Sequence, residues 1–257
     1  MDYLIDLMKA SPHPLRSALM FAAWLALCPP GSAQDAVTLN NGQVREGKIT
    51  GVSGGNVRVQ ISGGAATGIP LTEVKEIRMV APSDFETASA QLASGDAKGA
   101  LAALQKINDA FAGLPAPWAE RSAVMLADAK LAVGDKAGAK AAYENFIKTY
   151  PKSTTLANLG MARLAVDEGK YDEAKKLLDP VLAESAKSSF PGPVKGMALG
   201  QAHYLAGRIS EAAGEHQAAL EQYLKASAVF PYDRNAASDA QKRADTLRAE
   251  HAGLIAP

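Results

Sequence analysis

The chain of 257 residues is long enough for one or two domains, and 47% of its residues are hydrophobic, as in an ordinary globular protein. Its 27 basic and 27 acidic residues cancel, so no overall field attracts nucleic acid or an anionic membrane. Cys28 is the one cysteine, which excludes an intramolecular disulfide and a site built from several thiolates.

The N-terminal segment 1–33 has the pattern of an export signal. Two basic residues precede an apolar run at 17–28, and Gly31 and Ala33 then supply the small side chains of a cleavage site. A membrane-spanning helix needs roughly 20 apolar residues, more than this run provides. The pattern therefore predicts cleavage after Ala33 and a periplasmic or cell-envelope location.

Two features of this signal leave alternatives open. Asp2 and Asp6 are unusual so close to the start of a signal, and Met8 is a second possible start. Cys28 is either an ordinary residue of the apolar run or a lipid-attachment site that would tether the chain to a membrane. A lipoprotein signal has a small residue before its cysteine, and Leu27 does not fit it, so we favour the first interpretation.

The segment 35–80 predicts about five short β-strands. Val57, Val59 and Ile61 alternate with polar residues, as in a strand with one buried face, and the sequences NNG at 40–42 and SGGN at 53–56 predict turns. Strands this short and numerous favour a small closed barrel, because closure removes the exposed edges of a sheet.

The sequences TLNNGQVREGKI, NVRVQI and GIPLTEVKEI in this segment resemble Sm-like and SH3-like small barrels. Proteins of those families bind RNA or peptides. Here the basic side chains are interspersed with acidic ones, and the segment has no aromatic side chain for base stacking. We therefore expect no nucleic-acid binding.

Four later segments share one spacing. They are SGDAKGALAAL from Ser94, VGDKAGAKAAY from Val133, EGKYDEAKKLL from Glu168 and AGEHQAALEQY from Ala213. Each has a glycine that permits a left-handed turn, an alanine that permits close helix contact, and a large apolar residue that fills the gap beside it. The glycines are Gly95, Gly134, Gly169 and Gly214; the alanines are Ala100, Ala139, Ala174 and Ala219; the large residues are Leu104, Tyr143, Leu178 and Tyr223.

This spacing resembles the A-x3-F core of the tetratricopeptide repeat, a helix–turn–helix unit. The resemblance covers 83–233 and implies an α+β chain that is mainly α: an α-solenoid of about four repeats, preceded by the small barrel at 35–80. The polar-faced segment 234–257 is predicted to be a capping helix and tail. Pro180 falls inside the second helix of the third repeat, where we expect Asp179 to start a fresh helix.

No residue pattern predicts catalysis, a metal site or a cofactor. The histidines after the signal, His203, His216 and His251, belong to no HExxH motif, and the chain has no Walker loop and no GxSxG sequence. We therefore predict a protein that is not an enzyme.

The resemblance implies that the first helices of the repeats line a concave groove that binds an extended peptide or a partner helix. The motif places Val124, Leu159 and Tyr204 at one groove position, and Asp128, Arg163 and Arg208 one turn along. The lysine and asparagine clamp of chaperone-binding relatives is missing, and the two arginines suggest a partner with acidic character. We predict an exported interaction or scaffold protein with a protein or peptide partner. The alternative is a self-associating structural or accessory subunit of an envelope complex.

Overall fold

A computed structural model of the chain describes residues 34–61, 64–185 and 192–254. The predicted export signal and Cys28 lie outside these residues. Within the described ranges, no helix is both long enough and apolar enough to cross a membrane.

Six short strands open the described chain. They are β1 (Ala36–Leu39), β2 (Val44–Glu46), β3 (Lys48–Ser53), β4 (Asn56–Gln60), β5 (Ala66–Pro70) and β6 (Val74–Arg78). They form two antiparallel sheets, one in the order β2-β1-β6 and the other in the order β3-β4-β5. The alternation that predicted β4 is confirmed for Val57 and Val59, which are buried while Arg58 and Gln60 are exposed. It is wrong for Ile61, which lies just beyond the strand and is 49% exposed.

These strands do not close into the predicted barrel. The chain passes from β2 to β3 at Gly47, and a 3-10 turn (Leu71–Glu73) joins β5 to β6. Among the described strands, no pairing joins one sheet to the other, so the sheets are separate three-stranded units. Residues of the helical region, most of them in a connection between two helices, cover their apolar sides instead. Leu114, Ala116 and Ala119 pack into one cluster with the buried side chains of both sheets. They shield the apolar sides of the sheets from water, as closure of a barrel was expected to do.

Nine helices follow in the described part of the chain. They are α1 (Ser83–Ala93), α2 (Ala97–Phe111), α3 (Pro117–Ala132), α4 (Lys136–Thr149), α5 (Thr155–Asp167), α6 (Tyr171–Ser185), α7 (Pro193–Ala212), α8 (His216–Leu224) and α9 (Arg234–Glu250), with a π-helical turn (Lys225–Val229) after α8. Helices α1 to α8 form four consecutive pairs, as the repeat spacing predicted. The last helix, α9, buries Ala240, Ala244 and Leu247 against α8 and keeps a polar outer surface.

The predicted turn glycines and packing residues are confirmed. Gly95, Gly134, Gly169 and Gly214 all have positive φ values, between 72° and 88°, a region that favours glycine. Asp96 and Asp135 then accept hydrogen bonds from the first turns of α2 and α4, at 2.9 and 2.8 Å. The four repeat alanines and the four large residues after them are buried.

Two tyrosine rings fill space that glycines leave open. A Cβ atom at Gly160 of α5 would lie 2.2 Å from Cζ of Tyr143, and one at Gly207 of α7 would lie 2.5 Å from Cε1 of Tyr223. Helices therefore approach each other closely where a tyrosine and a glycine meet.

The prediction of a fresh helix at Asp179 is wrong, because α6 continues through Pro180. Proline removes one backbone N–H donor, which leaves the carbonyl of Lys176 without its helical partner. Both Lys176 and Pro180 are exposed, so water can reach that carbonyl and the helix need not end.

Candidate protein-binding face

The six predicted groove residues lie on the first helices of the second, third and fourth repeats, in two groups. Val124 and Leu159 belong to the buried core, with exposures of 6% and 3%. Solvent reaches the other four, which are Asp128, Arg163, Tyr204 and Arg208. We call the surface of these four side chains the first-helix face. It is the part of the predicted groove that a partner can contact without displacing core residues.

Asp128 links three helices on this face. Its carboxylate accepts a hydrogen bond from the hydroxyl of Tyr143 on α4, and the positive charge of Arg163 on α5 acts on it. Water reaches Asp128 from one side, yet protein atoms crowd the carboxyl closely enough that desolvation raises its pKa. The hydrogen bond from Tyr143 and the charge of Arg163 offset part of that rise. The same surroundings raise the pKa of Tyr143, chiefly through burial.

Arg208 is paired within the chain. Its Nη1 lies 2.8 Å from Oδ1 of Asp167, and the two side chains are 26% and 29% exposed. This pair joins α7 to α5 across the third and fourth repeats.

A second three-helix contact was not predicted from the sequence. Glu211 on α7 accepts a hydrogen bond from the Tyr223 hydroxyl on α8 and two from Nη1 of Arg243 on α9, at 3.2 and 2.9 Å. The signal was present, because Tyr143 and Tyr223 hold the same repeat position. Each has an acidic residue on the preceding helix and an arginine on the following one.

A cleft of about 480 Å³ lies between α2, α3 and α4. Several of its polar side chains bond to each other or to the helices around them. Gln105 donates to Asp109 at 2.8 Å, and Nδ2 of Asn108 lies 2.8 Å from the Leu104 carbonyl and 3.0 Å from Oγ of Ser122. The bond of Asn108 to Ser122 holds α2 against α3, and the other two lie within α2, so these polar groups of the cleft have a structural role.

The described residues contain no group of three or more His, Cys, Asp or Glu side chains placed to hold a metal ion. One pair does resemble a catalytic arrangement, since Oγ of Ser185 lies 2.9 Å from Nε2 of His203. The neutral amide of Gln222 stands on the other side of this imidazole, where serine hydrolases have a carboxylate. Burial also lowers the pKa of His203. This histidine is therefore poorly suited to take the proton of a serine nucleophile.

Comparison with known proteins identifies the family of this repeat fold. The model of the tetratricopeptide repeat-like domain family matches residues 74–248, more than half of the chain. No curated protein sequence matches this chain. A solved structure described as a MamA RS-1 ArsTM double mutant has 15% sequence identity and a TM-score of 0.42, and the match covers 66% of this chain and 98% of that one.

Repeat folds of this kind typically serve as protein-interaction scaffolds and are generally not catalytic. The family match runs from β6 to α9 and includes all four helix pairs. The chain therefore belongs to the tetratricopeptide repeat-like domain family.

Proposed function

We propose that this chain is an exported, non-enzymatic scaffold of the cell envelope that binds a protein or peptide partner through the first-helix face. The observation that carries this proposal is the division of the groove residues into two groups. Val124 and Leu159 support the core, whereas Asp128, Arg163, Tyr204 and Arg208 present charge and an aromatic ring to solvent. Arginine and tyrosine are the residue types that most often dominate protein–protein binding.

The charges of the first-helix face also restrict the partner. Positive and negative groups alternate along it, with Asp128 beside Arg163 and Asp167 beside Arg208. A uniformly acidic partner would meet the carboxylates as well as the arginines. A segment that places single acidic groups opposite the arginines, and an apolar group on Tyr204, fits this pattern better.

Reversing the charge of Arg163 is expected to weaken partner capture by about tenfold or more, as loss of a central arginine contact does. The wild-type chain and an Arg163→Glu variant are each immobilised and crosslinked to proteins of the native envelope. The amount of captured partner is then compared. Lys140→Glu is the matched control, because Lys140 is exposed on α4 and the change in net charge is the same. Thermal unfolding checks that both variants stay folded. Equal capture by the two variants would contradict binding at the first-helix face.

Self-association is the second candidate. Three exposed apolar side chains favour it: Val194 and Met197 lie near the start of α7, and the ring of Tyr232 packs against Gly196 between them. Light scattering of the full chain across a concentration series separates the candidates. A monomer at all concentrations contradicts self-association, whereas a dimer that dissociates on Met197→Glu supports it.

The proposed export is tested by the mass of the protein recovered from the cell envelope. Cleavage after Ala33 is expected to leave a chain that begins at Gln34. A lipidated chain that begins at Cys28 would support the tethered alternative. A chain that retains segment 1–33 would contradict cleavage.

A further inference from the structure

His203 is a buried histidine at a meeting point of several helices. It lies on α7 and is 5% exposed. Its Nδ1 lies 2.7 Å from Oε1 of Gln222 on α8, and its Nε2 lies 2.9 Å from Oγ of Ser185 at the end of α6. One imidazole therefore connects the third repeat to both helices of the fourth.

These partners select the tautomer of the neutral ring. The amide oxygen of Gln222 can only accept, so Nδ1 carries the hydrogen and donates it. Nε2 then accepts a hydrogen bond from the Ser185 hydroxyl. Both ring nitrogens are satisfied while His203 is neutral, and the bond to Ser185 reverses direction when the ring gains a second proton.

The ring face is also occupied. The imidazole stacks on Phe230 with the ring centroids 5.3 Å apart and the planes 3° from parallel. Phe230 follows the π-helical turn and belongs to the same buried cluster as Leu199 and Ala202 of α7. A positive charge on His203 would be attracted to the face of Phe230, but it would arise beside an apolar core, where a charge is costly.

Among the described residues, the groups that contact His203 carry no negative charge to offset that cost. Gln222 of α8 is neutral, and the π-helical turn contributes the positive Lys225. On α6, Ser185 is neutral, and the carboxylate of Glu184 pairs with Lys195 at 3.3 Å. Burial is the largest cause that lowers the pKa of His203, Lys225 lowers it further, and the hydrogen bond with Gln222 offsets part of the effect.

We propose that the contact of His203 with Ser185, Gln222 and Phe230 is a pH-sensitive latch that holds the fourth repeat to the third and loosens in mild acid. The neutral imidazole joins α6, α7 and α8, and the imidazolium weakens that junction before the rest of the chain unfolds. The latch operates whether or not the first-helix face binds a partner.

The direction of the pH effect follows from the lowered pKa. An unfolded or opened chain has a histidine with an ordinary pKa of about 6.5, whereas the closed junction lowers it. The open state therefore binds protons more readily than the closed state. The closed junction is fully stable above about pH 6.5 and loses stability as the pH falls from there toward the lowered pKa.

Hydrogen exchange of the full chain at pH 7.5 and pH 5.5 tests this latch. After correction for the intrinsic pH dependence of exchange, the opening of α6, α7 and α8 is expected to rise by at least about threefold in acid. Helices α2 and α3 serve as the internal reference, because the described histidines all lie between 203 and 251. A His203→Gln variant keeps a donor and an acceptor but cannot be protonated, so its junction is expected to lose the acid response.

A second histidine contact supplies the control. His216 of α8 stacks on His251 with the ring centroids 3.7 Å apart, and these are the other two histidines of the described residues. A variant with both His216→Gln and His251→Gln is expected to keep the acid response of α6 and α7. Loss of that response in the double variant would overturn the latch, as would an unchanged response in His203→Gln.

Titration of the wild-type imidazole carbons by NMR keeps the proposal testable if His203→Gln does not fold. The latch requires that the His203 signal titrates below the ordinary histidine range. A His203 pKa at or above that range would overturn it.

Discussion

Replacing Gly160 by leucine is expected to lower the free energy of unfolding by about 3 kcal/mol, the upper end of the usual cost of overpacking a core. A Cβ atom at this position would lie 2.2 Å from Cζ of Tyr143. The ring has little room to move, because Tyr143 is buried and its hydroxyl donates to Asp128. Denaturant unfolding followed by circular dichroism measures the change.

The sign of this effect is informative, because leucine favours a helix over glycine by close to 1 kcal/mol in the absence of tertiary contacts. A stabilised Gly160→Leu variant would therefore mean that the tyrosine does not occupy this space. Tyr143→Ala alone is expected to cost about 3–5 kcal/mol. Combined with Gly160→Leu, it should cost clearly less than the sum, because the leucine then enters the vacated volume.

Replacing Leu114 by alanine is expected to cost about 2–5 kcal/mol and to expose the strands preferentially. Leu114 is fully buried in the connection between α2 and α3, yet it packs with Val37, Ile49 and Val57 of the two sheets. Its removal opens a cavity in the core of the strand region. Hydrogen exchange should increase first in β1 and β4.

Leu131→Ala is the matched control for this prediction. Leu131 is a half-buried leucine on α3 that packs in a cluster without strand residues. Its truncation should cost less and should leave exchange in β1 and β4 unchanged. If the two variants affect the strands equally, Leu114 has no special role in supporting the sheets.

The sequence predicted the helical repeats well because their determinants are local. Gly134, Ala139 and Tyr143 lie within one helix–turn–helix unit, and each has a steric role that one residue type fulfils. The strands β1 and β4 were also predictable from alternation and turn residues. The way the sheets bury their apolar sides was not predictable, because it depends on Leu114, which lies 36 residues beyond the end of β6 at Arg78.

The candidate site shows the same limit. The repeat motif predicted the positions of Val124 and Arg163 along their helices, but not that one is buried and the other exposed. The pairing of Arg208 with Asp167 links residues 41 positions apart, and that of Arg243 with Glu211 links residues 32 positions apart. Such contacts depend on how one repeat stacks on the next, which periodicity within a repeat does not determine.

The fit of Tyr143 against Gly160 restricts how this array can be rearranged. The tyrosine belongs to the second repeat and the glycine that receives its ring belongs to the third, so neither repeat carries the complete contact. If the third repeat were deleted, α7 would follow α4. Gly160 lies nine residues before the turn glycine of its repeat, and the residue at the same distance in the fourth repeat is Leu205. A leucine side chain would then meet the Tyr143 ring. The repeats are thus not interchangeable modules, and their order is part of the information that the sequence encodes.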